Sequence, residues 1–119
     1  MVRPLHHPDA EEISLDRLLH ALADPVRRSI VARLMEEGEK NCAETCGGMA
    51  PSTISHHHRI LRESGLIRSE KRGVAVINSV RREEIEARFP GLLGAILQQH
   101  STSRIHHGTS STRPPEPIR

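Results

Sequence analysis

The sequence predicts a mainly α fold with one small β-hairpin. Three observations carry that expectation. Apolar residues recur at i, i+3, i+4 and i+7 in separate stretches, as in helices with one buried face. Two runs rich in β-branched residues, 66–70 and 74–80, flank the polar group Lys71, Arg72 and Gly73, which reads as a hairpin turn. Phe89 is the only residue among Phe, Trp and Tyr, so the core has to be built from Leu, Ile, Val and Ala. A chain of 119 residues is one small domain. At that size the buried fraction of surface is modest, which favours dimerisation.

The elements follow in order. Residues 1–12 mix His, Pro and acids and are expected to form a flexible arm. Ser14 is a good N-cap, and Leu15, Leu18, Leu19 and Leu22 then form one apolar stripe. Asp24 and Pro25 restart the chain as N-cap and first helical residue. Val26, Ile30, Val31 and Leu34 form the buried face of this second helix, and Gly38 closes it. Across 39–50, Gly47 and Gly48 oppose a long helix and leave room for a short one at most. Pro51 opens the next helix, Ile54, His57, His58 and Leu61 face inward, and Gly65 ends it. After the hairpin, 81–88 reads as helix. Pro90 and Gly91 interrupt it, and Leu92, Leu93, Ile96 and Leu97 make a last apolar face. From Ser101 the chain is rich in Ser, Thr, Pro and Arg and lacks the apolar surface to order itself. The expected organisation is an arm at 1–12, a folded unit at 13–100 and a disordered tail at 101–119.

Composition excludes several function classes. No stretch approaches the ~20 apolar residues of a membrane span, and the N-terminus has no apolar export core. A cytoplasmic protein without a membrane partner is expected. Two cysteines in such a chain are expected to be reduced thiols. The lack of Trp and Tyr excludes single-strand binding on aromatic platforms. No HExxH, no CxxC and no Gly-rich phosphate loop is present, so nothing marks an enzyme and no cofactor is required.

Charge is informative through its distribution. The formal net charge is +2, and residues 1–100 balance to zero. Residues 59–82, however, set Arg59, Arg62, Arg68, Lys71, Arg72, Arg81 and Arg82 against only Glu63 and Glu70. A segment of that kind is either a solvated face or the footprint of a phosphate-contacting surface.

Three helices followed by a basic two-stranded hairpin is the winged helix-turn-helix arrangement, in which the second helix of the motif enters the major groove. Here that helix starts at Pro51. With Ile54, His57, His58 and Leu61 inward, its outward positions are Ser52, Thr53, Ser55 and His56, then Arg59 and Arg62. Small hydroxyls allow close approach and can bond base edges or phosphates. The arginines supply charge. Lys71 and Arg72 at the expected hairpin tip are placed to follow the DNA backbone or to probe the neighbouring minor groove. The same pattern is also that of a plain amphipathic helix with a polar outer face.

Residues 23–30 (ADPVRRSI), 52–57 (STISHH) and 60–67 (ILRESGLI) carry a resemblance. Across residues 21–77 the chain resembles the ArsR/SmtB family of bacterial winged-helix transcriptional regulators. The resemblance implies a symmetric homodimer, joined through its first and C-terminal helices, that binds double-stranded operator DNA. It also implies a repressor released by an effector. Two positions depart from the family pattern. Ala50 stands where a capping Ser or Thr is usual, and His58 replaces a Leu or Phe at an inward position.

The effector is open. Metal-binding members carry Cys-x-Cys before the helix-turn-helix, whereas here Asn41 and Ala43 flank Cys42. Cys42 and Cys46 are four apart and share a face if helical. They read as ordinary thiols, as two ligands of a soft-metal site with others, or as a redox pair that needs local unwinding. His6, His7, His100, His106 and His107 fall in the expected arm or at the tail, and no complete metal-ligand set is legible. A winged-helix protein-interaction module without DNA binding is the alternative, and the basic segment at 59–82 opposes it.

Overall fold

The computed structural model of the chain describes residues 6–41 and 48–108. A 3₁₀ turn at Ala10–Glu12 leads into helices α1 (Leu15–Leu22) and α2 (Pro25–Glu37). A short strand β1 (Lys40–Asn41) precedes helix α3 (Pro51–Ser64). The hairpin β2 (Ile67–Arg72) and β3 (Ala75–Val80) follows, then α4 (Arg82–Arg88) and α5 (Leu92–Gly108). The three strands form one antiparallel sheet in the order β1-β3-β2.

Local chemistry sets the helix starts. The Ser14 hydroxyl accepts from the Arg17 N–H at 3.2 Å. The Asp24 carboxylate accepts from the N–H groups of Val26 at 2.7 Å and Arg27 at 3.2 Å. Burial raises the Asp24 carboxyl, but those two N–H groups outweigh it and hold the group below its ordinary value. Ile13, Leu18, Ile30, Leu61, Leu66, Ile67 and Ile85 are fully buried and join α1, α2, α3, β2 and α4 in one core. Each such side chain contributes about 1.5–3 kcal/mol relative to exposure. At the end of α3, Gly65 takes φ 93°, and a Cβ there would lie 2.5 Å from Ile13 Cγ1. Glycine thus satisfies both the left-handed turn and the close approach that feed α3 into β2.

Several expectations are corrected. The α1 stripe is split: Leu18 and Leu22 are buried, but Leu15 and Leu19 are 43% and 44% exposed. The hairpin turn is not Lys71, Arg72 and Gly73. Pairing continues to Arg72 opposite Ala75, so the turn is Gly73 and Val74. A two-residue turn needs positive φ at its first position, and Gly73 supplies it at 65°. Strand β1 was not legible in the sequence, because two polar residues carry no alternation. It is held by Asn78, which is 1% exposed. The Asn78 Oδ1 accepts from the Ser69 hydroxyl at 2.7 Å, and its Nδ2 donates to the Lys40 carbonyl at 3.4 Å.

The chain ends make contacts of their own. Residues 6–12 lie against the wing and α4. The Ser69 N–H donates to His7 Nε2 at 2.9 Å, and Arg88 Nη1 donates to the carbonyls of Ala10 at 2.8 Å and Glu11 at 3.2 Å, and to that of Ile13. Helix α5 extends to Gly108, past the expected boundary at Ser101. Adding residues to a formed helix costs far less than nucleating one. Residues 42–47, with Cys42 and Cys46, and residues 109–119 lie outside the described residues.

Candidate nucleic-acid interface

Helix α3 starts on Ala50 without a side-chain cap; Pro51 is its first residue. The Ala50 carbonyl accepts from the Thr53 and Ile54 N–H groups at 3.0 and 3.1 Å. The helix therefore lacks a side-chain N-cap, as Ala50 implies. Ser52, Thr53, Ser55, His56 and Arg59 are exposed, and Arg62 is half-buried. Ile54 is half-buried, while His57, His58 and Leu61 are buried, as the inward stripe predicts. His58 resolves its burial within the helix, its Nδ1 lying 3.0 Å from the Ile54 carbonyl.

The outward face of α3 adjoins the wing. A cleft between them is lined by Ser52, Ser55, His56, His58, Arg59, Arg62 and Val76. No acidic residue is among these. Arg62 Nε is buried there without a hydrogen-bond partner among the described residues.

The rest of the basic segment behaves differently. Arg68 pairs with Glu84 at 3.3 Å. Arg81 is buried and pairs with Glu84 at 2.7 Å, and this Arg81 contact foremost lowers the Glu84 carboxyl. Arg72 binds both oxygens of Glu39, at 3.0 and 3.1 Å, and Glu70 at 2.8 Å. Those bonds, with Glu39 first, push the guanidinium above its ordinary range. Arg72 therefore clamps the wing to the chain after α2 and is not a free tip cation. Among the described residues, Arg59, Arg62 and Lys71 make no ion pair. The wing tip itself is Gly73 and Val74, and Val74 is fully exposed.

Sequence reasoning missed the residues that seat α3. Arg27 and Arg28 hold the last carbonyls of α1. Arg27 Nε donates to Ala21 at 2.8 Å, and Arg28 Nη1 donates to Leu22 at 2.8 Å. Arg27 also reaches His57 on α3, while Arg28 Nε donates to His100 Nδ1 on α5 at 3.1 Å. His100 is buried, not part of a tail. The signal was present: Arg27 and His100 occupy the stripe positions i relative to Ile30, Val31 and Leu34, and i+7 relative to Leu93. A polar residue in an apolar stripe has to find a partner, and both do.

No group of three or more potential metal ligands is found among the described residues. No described helix is long and apolar enough to cross a membrane. What the arrangement can do is present a helix with small hydroxyls and two unpaired arginines to a groove about 12 Å wide, the size of a B-DNA major groove.

A helix-turn-helix domain family matches residues 22–70. No curated sequence matches the chain. Its structure is similar to that of an ArsR family transcriptional regulator, with 25% identity, TM-score 0.57, and coverage of 83% of this chain and 98% of that one. It is also similar to the transcriptional repressor BigR from Xylella fastidiosa, with 22% identity, TM-score 0.54 and coverage of 85% and 88%. An ArsR-like regulator from Rhodococcus sp. RHA1 has 21% identity, TM-score 0.54 and coverage of 85% and 94%. The chain thus carries a helix-turn-helix domain at residues 22–70, within a winged fold similar to that of ArsR family transcriptional regulators.

Proposed function

We propose that this protein is a dimeric, sequence-specific DNA-binding transcriptional regulator of the cytoplasm, acting as a repressor that an effector releases. Residues 13–100 are the DNA-binding and dimerising unit in this reading. The observation that carries it is the outward face of α3: exposed Ser52, Thr53, Ser55 and His56 beside Arg59 and Arg62, with no internal acid neutralising either arginine among the described residues. Hydroxyls and His56 face base edges, and Arg59, Arg62 and Lys71 contact phosphates. Arg72 orients the wing. The partner is duplex operator DNA, and binding needs no cofactor. Cys42 and Cys46 are the thiols through which a soft metal or an oxidant acts if the effector is of that class.

The test is fluorescence anisotropy with duplex from the gene's own upstream region and a scrambled duplex, at two salt concentrations. Tight, salt-dependent and sequence-preferring binding is expected, unchanged by a chelator. Arg59→Ala is expected to weaken all duplexes and reduce the salt slope by about 1, whereas Ser55→Ala lowers preference between duplexes. Unchanged affinity in both variants would sink the assignment to α3. Absence of duplex binding at low salt would favour a protein-interaction module.

A further inference from the structure

The guanidinium of Arg27 is buried where α1, α2 and α3 meet. Besides its bond to Ala21, its Nη2 donates to the His20 carbonyl at 3.3 Å, and its Nη1 faces His57 Nδ1 at 3.4 Å. The two carbonyls belong to the last turn of α1, where a cation is favoured. One side chain thus spans from the end of α1 to the inward face of the DNA-reading helix.

A guanidinium has donors and no acceptor. The His57 nitrogen that faces it must therefore offer a lone pair, and the ring must be neutral. Protonating that nitrogen removes the acceptor and sets two cations against each other in a buried site. The groups acting on His57 are Asp24 and Arg27 from α2 and His56 and His58 on α3, while α1 contributes the carbonyls that hold Arg27. Burial foremost holds the imidazole below the ordinary histidine value. Asp24 opposes that shift, and Arg27, His56 and His58 reinforce it.

We infer that Arg27 is a positioning residue for the interface: through His57 it sets the seat of α3, and acidification breaks that contact and weakens duplex binding. The inference rests on the DNA-binding reading of α3. Its sign is distinctive. His57 stabilises the seat while neutral, so its contribution is present above the ordinary histidine pKa and is lost as pH falls through the lowered folded value.

The full chain is compared with His57→Asn and Arg27→Lys by duplex anisotropy and thermal unfolding at about pH 7.5 and about pH 5.5, at constant ionic strength. Asn keeps an acceptor near the Nδ1 position and does not titrate. The unsubstituted chain is expected to lose affinity several-fold on acidification, with a fall in its unfolding midpoint. His57→Asn should remove most of both responses. Arg27→Lys keeps the charge without the span, and should bind weakly already at neutral pH with a smaller pH response. Equal pH responses with and without His57 overturn the inference. If no duplex binds at either pH but the difference in unfolding response persists, the Arg27–His57 contact stands and the DNA reading falls. Should His57→Asn not fold, NMR titration of the unsubstituted chain decides: a His57 ring that titrates below the ordinary histidine value supports the inference, and one at or above it overturns it.

Discussion

Single residues decide how α3 is delivered to the surface. Gly65 has φ 93° and no room for a Cβ beside Ile13. Gly65→Ala combines left-handed strain with a clash, and is expected to cost at least about 2 kcal/mol in urea denaturation. Gly73→Ala meets open space at the wing tip and is expected to cost only the backbone strain, about 1–2 kcal/mol. Gly65 was legible as a helix stop. Its contact with Ile13 was not, because 52 positions separate the two and only the folded chain brings them together. His58 shows the same limit. Its inward position followed from spacing, but the carbonyl that satisfies it is a structural fact.

At the scale of elements, the wing is more constrained than its sequence implies. Seven basic residues in 59–82 read as one basic surface, yet Arg68, Arg72 and Arg81 are spent on Glu84, Glu39 and Glu70. Glu39 lies before β1 and is 33 residues from Arg72 in the chain. No local pattern links them. Lys71→Ala is therefore expected to weaken duplex binding and reduce its salt dependence, while Arg72→Ala changes the salt slope less. Exposed ion pairs contribute little to stability, so Arg72→Ala should leave the denaturation midpoint nearly unchanged. A larger loss of salt slope for Arg72→Ala than for Lys71→Ala in the anisotropy assay would place Arg72, not Lys71, on the phosphates.

At the scale of the whole molecule, α1 buries Leu18 and Leu22 and leaves Leu15 and Leu19 at the surface. Two large apolar side chains one turn apart on an exposed helix face fit association with a second copy. Leu19→Glu is expected to shift the chain toward monomer in analytical ultracentrifugation and to weaken duplex binding with α3 intact. In the proposed dimer, half-sites are expected one helical turn apart, about 34–36 Å along the duplex. Retained dimerisation in Leu19→Glu would move the interface away from α1.

The sequence alone determined the starts of α1, α2 and α3, the inward stripe of α3 and the identity of the outward hydroxyls and arginines. These depend on neighbours within one or two turns, where spacing and capping chemistry act directly. Tertiary structure decided which charges remain available. It paired Arg72 with Glu39, held β1 through Asn78, docked residues 6–12 on the wing and seated α3 through Arg27 and His57. Those contacts join residues far apart in the chain, and hydrogen-bond and charge pairing between distant groups follows the fold, not the local pattern.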